Sequence, residues 1–298
     1  MNSQKTAMNR FLWEILDPWI RQYASIPNPG PARNEIWSSD DWRKSEPWFQ
    51  LRRMAAERSL NTLLAALEDS NHRLGNLGRD PAFGDWTRFR PLRLSREEDW
   101  SDWLAHMIET SSGIFNRNLF ERGCPEIQDL SYPQVWREVI TAKGFRADIL
   151  VEWKCGHRTH IEVKIDDPGL SKTPGTALAL RENFPDSPSE SWSDLILLRQ
   201  ENLETWLALQ ATGLERESVL KINHITWRDV LLSLRKSFYN QEESPGWRSF
   251  ALAYCGCIEQ KILGFPPIAT GAATNTHERL DLLEEQLRLV REAIDHER

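Results

Sequence analysis

Apolar residues recur at three- and four-residue steps over residues 5 to 23, where Leu12, Ile15, Leu16, Trp19, Ile20 and Tyr23 fall on one side of a helix. The prolines and glycine of SIPNPGPA end that helix. After a Trp-rich irregular stretch, a second helix is expected over 50 to 68, packing Leu60, Leu63, Leu64 and Leu67. Residues 69 to 93 lack a period and are rich in turn formers. LSREEDWSDWLAHMIE then opens with Ser95 as the expected N-cap and places Trp100, Trp103, Leu104, Met107 and Ile108 on one helical face. From residue 134 the period drops to two. VWREVIT reads as a strand, FRADILVEWKCGHRTHIEVKI (145 to 165) as a hairpin, and SDLILLR (193 to 199) and LKINHITW (220 to 227) as two further strands. Residues from Thr176 onward suit a helix between the hairpin and the fourth strand, an order that favours a crossover within a mixed sheet. Helices are expected at 227 to 240 and 247 to 263, followed by the linker GFPPIATGAATNT.

The last segment, ERLDLLEEQLRLVREAIDHER, sets Leu280, Leu283, Leu287, Val290 and Ile294 at alternating steps of three and four, a heptad seam about two repeats long. Such a seam serves either a terminal helix docked on its own chain or a homodimeric coiled coil. The expected class is thus α/β. An N-terminal helical region (1–90) and a C-terminal amphipathic helix (279–298, after a linker at 264–278) flank a sheet domain over 91–263.

Composition narrows the setting. Four cysteines without a C-x-x-C pair or a zinc-like quartet fit reduced thiols in a cytoplasmic protein, and Cys255-Gly-Cys257 reads as two buried thiols inside an apolar helix. No apolar run is long enough to span a bilayer, so no membrane partner is expected. A net charge of −7 disfavours polyanion binding over the whole surface but permits a local basic stripe. Most of the fourteen tryptophans are expected as core anchors. No phosphate-binding glycine loop, Ser-His-Asp order or nicotinamide fingerprint is present.

The candidate chemistry lies in the hairpin. Strand alternation puts Asp148, Leu150 and Glu152 on one face and Ile149, Val151 and Trp153 on the other. On the second strand Ile161, Val163 and Ile165 face the core, leaving Glu162 and Lys164 opposite. With the turn centred on Cys155, Asp148 and Glu162 become direct cross-strand neighbours, roughly 5 Å apart between Cβ atoms. Paired carboxylates repel unless a cation neutralises them. An oxygen-only set of Asp148, Glu162 and the Val163 carbonyl suits Mg²⁺ or Mn²⁺. Lys164 stands where its ammonium can hold or help deprotonate an attacking water and neutralise a phosphate.

Asp148 followed by Glu162-Val163-Lys164 across a short hairpin, after an acidic helix and before a helix and a strand, resembles the PD-(D/E)XK nuclease superfamily over about residues 95 to 230. The resemblance implies a restriction-endonuclease-like αβββαβ core with a mixed central sheet. It also implies metal-dependent phosphodiester hydrolysis, in DNA ahead of RNA, with Asp148 and Glu162 as metal ligands and Lys164 assisting the water. Ala147 stands where the family has proline. EDWSDWLA resembles the family's preceding helix and carries over Glu98 as a further active-site acid, with Glu97 behind it, although Ser95 and Glu98 also spell a capping box. Lys172 is the weak candidate for the family's auxiliary residue on the following helix. A role in restriction, phage defence or repair fits, with a partner protein supplying specificity. The alternative is an inactive relative that uses the same fold for binding or assembly.

Three further features stand outside this set. Arg88, Arg90, Arg93 and Arg96 form a basic stretch that either grips nucleic-acid phosphates or is a solvated loop. His157 is expected to be exposed at the turn. His160, on the face of Glu162, reads as a polar strand residue before a substrate contact.

Overall fold

A computed structural model describes residues 39–86, 94–121, 127, 129–165, 170–185, 187–188, 191–212, 221–268 and 277–295. The expected helix over 5 to 23, Arg88, Arg90, Arg93 and most of the linker lie outside these residues. The chain forms α1 (Ser39–Arg73), α2 (Glu97–Thr110), α3 (Ile114–Phe120), β1 (Gln134–Ile140), β2 (Arg146–Glu152) and β3 (Arg158–Val163). It continues through α4 (Thr173–Glu182), β4 (Trp192–Leu198), α5 (Leu203–Thr212), β5 (Ile222–Thr226), α6 (Trp227–Tyr239), α7 (Pro245–Cys257) and α8 (His277–Asp295).

The five strands make one mixed sheet in the order β1-β2-β3-β4-β5. The first three are antiparallel and the last three parallel, each parallel step carrying a helical crossover. Ile149 pairs with Ile161 and Leu150 with His160, a register that centres the hairpin on Cys155 as the alternation predicts. The turn is closed by Trp153 N–H donating to the His157 carbonyl (2.9 Å) and by Gly156, whose φ of 82° a side chain would resist. All seven residues of β4 are buried, the pattern of a central strand with both faces covered.

One face of the sheet carries Ile149, Val151, Ile161, Val163, Leu195 and Leu197 into a continuous apolar core with Leu104, Met107 and Ile108 of α2 and Trp227, Leu231 and Leu234 of α6. Leu63 and Leu67 of α1 and Leu287, Val290 and Ile294 of α8 belong to the same core. Leu287, Val290 and Ile294 of the heptad seam are therefore buried within their own chain, with Leu283 half-buried, where α8 packs on α1 and α6. The second face is covered by α4, where Leu180 meets Leu150 and Trp192, and by α5, where Trp206 meets Ile196 and Leu198.

Several expectations change in detail. α1 begins well before residue 50 and contains Pro47. The expected helix at 247 to 263 is α7 plus a π turn (Ile258–Ile262), in which Leu263 N–H donates to the Ile258 carbonyl (3.0 Å). α3 and α5 were not expected: one is seven residues long, and LETWLALQAT of the other is apolar on too many sides to show a stripe.

The π turn sits against Trp86. Its indole N–H donates to the Pro81 carbonyl (2.6 Å) and its backbone N–H to Gln260 Oε1 (2.7 Å), so the ring is held where it meets Gly256 of α7. A Cβ on Gly256 would overlap the indole. Gly256→Ala is expected to cost about 1–3 kcal/mol despite alanine's better helix propensity. Urea denaturation checks this, and unchanged stability would mean that Trp86 yields freely.

Candidate active site

The hairpin register brings Asp148 opposite Glu162 on the face away from the main core, with Lys164 one step beyond. Asp148 Oδ2 accepts the Val163 N–H (2.8 Å), so the first carboxylate is tied to the backbone of the strand bearing the second. Glu162 is buried, and its Oε1 lies 3.0 Å from Lys164 Nζ. Lys164 is placed by its backbone: its N–H donates to the Leu197 carbonyl (2.9 Å), and its own carbonyl accepts the Trp227 indole N–H (3.3 Å).

α2 delivers a third acid. Glu97 Oε1 lies 3.4 Å from Lys164 Nζ, and Glu97 Oε2 accepts the Ile165 N–H (3.1 Å). Glu98 goes elsewhere: its carboxylate pairs with Arg146 (3.3 Å), which also pairs with Glu138 (3.2 Å). The expected capping box explains the difference. Ser95 and Glu98 do not form it; Asp99 Oδ2 instead accepts the backbone N–H of Ser95 (2.9 Å) and of Arg96 (2.9 Å). Arg96 thus becomes the N-cap, and because adjacent helical residues point about 100° apart, the acid that reaches Lys164 is Glu97, while Glu98 meets Arg146 at the start of β2.

Among the other candidates, Arg96 is exposed at the start of α2 and Lys172 is exposed before α4. His157 is buried, contrary to expectation, with Nε2 2.8 Å from Ser193 Oγ. His160 is fully buried between Asp194 (3.1 Å) and Glu162 (3.7 Å). Sequence reasoning passed over Asp194 and Arg181, which pairs with it. The available signal was an ionisable residue inside WSDLILL, an otherwise apolar buried strand, where a lone charge is costly.

The electrostatics follow from three carboxylates around one ammonium. Burial, and then the neighbouring Glu162 charge, push the Asp148 carboxyl up to about 7. Burial also works against ionised Glu162, but His160 and Lys164 overcome it and hold Glu162 below the usual carboxylate range. In the pair, the proton rests on Asp148. Burial opposes the charge on Lys164, yet Glu162 and Glu97 raise its pKa above the ordinary value, so the ammonium stays charged.

This oxygen-rich set fits a hard divalent cation: Asp148, Glu162 and the Val163 carbonyl are the groups that would hold it. Among the described residues no three His, Cys, Asp or Glu side chains already stand arranged around a common point as ligands. No helix among the described residues is long and apolar enough to cross a membrane. Comparison with protein-family models, curated proteins and solved structures finds no match for this chain.

Proposed function

We propose that the protein is a divalent-metal-dependent nuclease of the PD-(D/E)XK type, with a restriction-endonuclease-like core, acting on DNA ahead of RNA. The observation that carries the reading is the cross-strand meeting of Asp148 and Glu162 with Lys164 3.0 Å from Glu162. The succession α2, α3, β1, β2, β3, α4, β4, an αβββαβ order with one short added helix, supports it. Bound Mg²⁺ or Mn²⁺ would neutralise the paired carboxylates and the charge that develops on the phosphate.

The chain's own residues divide the remaining work. Asp148 gives up its proton on loading, and its tether to Val163 N–H keeps the carboxylate aimed across the hairpin. Lys164, held charged by Glu162 and Glu97, donates to the attacking water or to a phosphate oxygen, while the water's proton passes to solvent and the leaving oxygen takes one from solvent. The same positive charge stabilises the pentavalent phosphorus as the bond to the leaving oxygen breaks. Arg96 and Lys172 are exposed cations available to flanking phosphates.

One observation favours the second reading, a non-catalytic binding or assembly protein on the same fold: Lys164 lies between two carboxylates, and among the described residues no three-ligand group is preformed. The two separate in one assay. Labelled single- and double-stranded DNA and RNA are incubated with Mg²⁺, Mn²⁺ or EDTA, beside Asp148→Ala and Lys164→Ala. The nuclease reading expects metal-dependent cleavage that falls by at least about 10²-fold in both variants. No cleavage of any substrate, together with no Mn²⁺-induced rise in melting temperature, leaves the binding protein.

A further inference from the structure

Behind Glu162 the polar face of the sheet continues into residues that the hydrolytic reading does not use. His160 lies two residues before Glu162 on β3, so its ring projects on the same face, and it is fully buried. Its register partner on β4 is Asp194, whose Oδ1 lies 3.1 Å from His160 Nδ1. Arg181 reaches down from α4 to the other Asp194 oxygen. On the opposite side of the ring, His160 Nε2 faces Glu162 Oε2 at 3.7 Å. That is outside hydrogen-bond range, and both atoms are buried without a hydrogen-bond partner.

Arg181, Asp194, His160 and Glu162 thus form one line of side chains through the interior, in which the two ring nitrogens of His160 face two different carboxylates, Nδ1 toward Asp194 and Nε2 toward Glu162. Packing does not require it, since Leu150, Leu180 and Trp192 already close this face. Its consequence is that Glu162 is bounded on both sides, with Oε2 facing His160 and Oε1 3.0 Å from Lys164 Nζ.

We propose that His160, oriented by Asp194 and Arg181, is a positioning residue for Glu162: it fixes the carboxylate with Oε1 toward Lys164 and closes on Oε2 when Glu162 engages a divalent cation. This deepens the metal-dependent reading and rests on it. Groups that orient a metal's ligands from behind typically change metal affinity or activity by about 10–100-fold when removed.

The test is the Mn²⁺ concentration for half-maximal effect, read twice: from the metal-induced shift in melting temperature and from cleavage rate. His160→Gln, which cannot bridge two carboxylates, and Asp194→Asn are expected to raise it by about tenfold or more in both readouts. At saturating Mn²⁺ the turnover should recover to within about tenfold of wild type. Leu150→Ala, a packing change on the same face, should lower the melting temperature and leave half-saturation in place. If His160→Gln does not fold, Arg181→Gln, whose side chain reaches solvent, carries the comparison. Wild type that binds Mn²⁺ and cuts, beside folded variants with unchanged half-saturation, overturns the positioning role and leaves the nuclease standing. Wild type with neither binding nor cleavage overturns both.

Discussion

Arg235→Ala is expected to lose about 3–5 kcal/mol of stability, the cost of leaving buried carboxylates without their partner, and to melt on the order of 10 °C below wild type. Arg235 is fully buried on α6 and binds Asp80 with both terminal nitrogens (2.9 and 3.1 Å) and Glu259 through Nε (2.8 Å). Ser70 of α1 reaches Asp80 and lies 2.6 Å from the Tyr239 hydroxyl, while Gln286 of α8 donates to Glu259 Oε2 (3.0 Å). One guanidinium therefore ties α1, α6, the π turn and α8 together. Burial pushes the Asp80 carboxyl up, but Arg235 and Ser70 outweigh it and hold it below the usual range. Burial of Glu259 is not fully offset by the same arginine, so its carboxyl stays raised. In the variant both acids must become neutral to remain buried. A folded pKa above the unfolded one means stability lost as pH rises, so the deficit should be larger at pH 8 than at pH 5. Arg235→Lys should not rescue it, since an ammonium cannot serve Asp80 bidentately and Glu259 together. Denaturant melts at the two pH values check the claim; a deficit under about 1 kcal/mol at both would sink it.

The second large effect has the opposite sign. Asp148→Asn is expected to stabilise the metal-free protein at pH 8, by up to about 4 kcal/mol at 1.4 kcal/mol per pKa unit. The ordinary aspartate value is 3.8 and the folded value is about 7. Wild-type stability from this group is thus complete below the ordinary value and is lost as pH rises from about 4 to about 7. Asparagine keeps an oxygen for the Val163 N–H and turns an amide donor toward Glu162. The gain should vanish near pH 4 and should reverse with Mn²⁺, which stabilises wild type and not the variant, and cleavage should be lost. Thermal melts in EDTA and in Mn²⁺ read both signs, and a variant less stable than wild type at pH 8 in EDTA would contradict the charge assignment.

What could be read before any coordinates is uneven, for physical reasons. Period-two alternation with a turn at Cys155 was enough to pair Asp148 with Glu162, because one residue of slip would have reversed both faces. The mixed sheet followed from strand, helix, strand order. Glu97 and Glu98 were harder to separate, because the helix start decides which acid reaches Lys164, and Asp99 competes with Glu98 for the cap. The burial of His160 depends on α4 and β4 bringing Arg181 and Asp194 to the second face, and that of His157 on its contact with Ser193 of β4, neither of which period alone reveals. Arg235 did carry a signal: it interrupts the stripe of Trp227, Leu231, Leu234 and Phe238, and a charge at a core position calls for a partner.

The crossover between β3 and β4 also bears on the order of folding. The hairpin closes over a short loop and can be sampled early, whereas Asp194 and Arg181 arrive only after α4 has formed and β4 has paired in parallel. Until then Asp148 and Glu162 face each other without His160 being oriented, and their repulsion works against the hairpin. Assembly of the site is therefore expected to be a late, cooperative step, with substitutions at Asp194 or Arg181 speeding unfolding more than they slow folding.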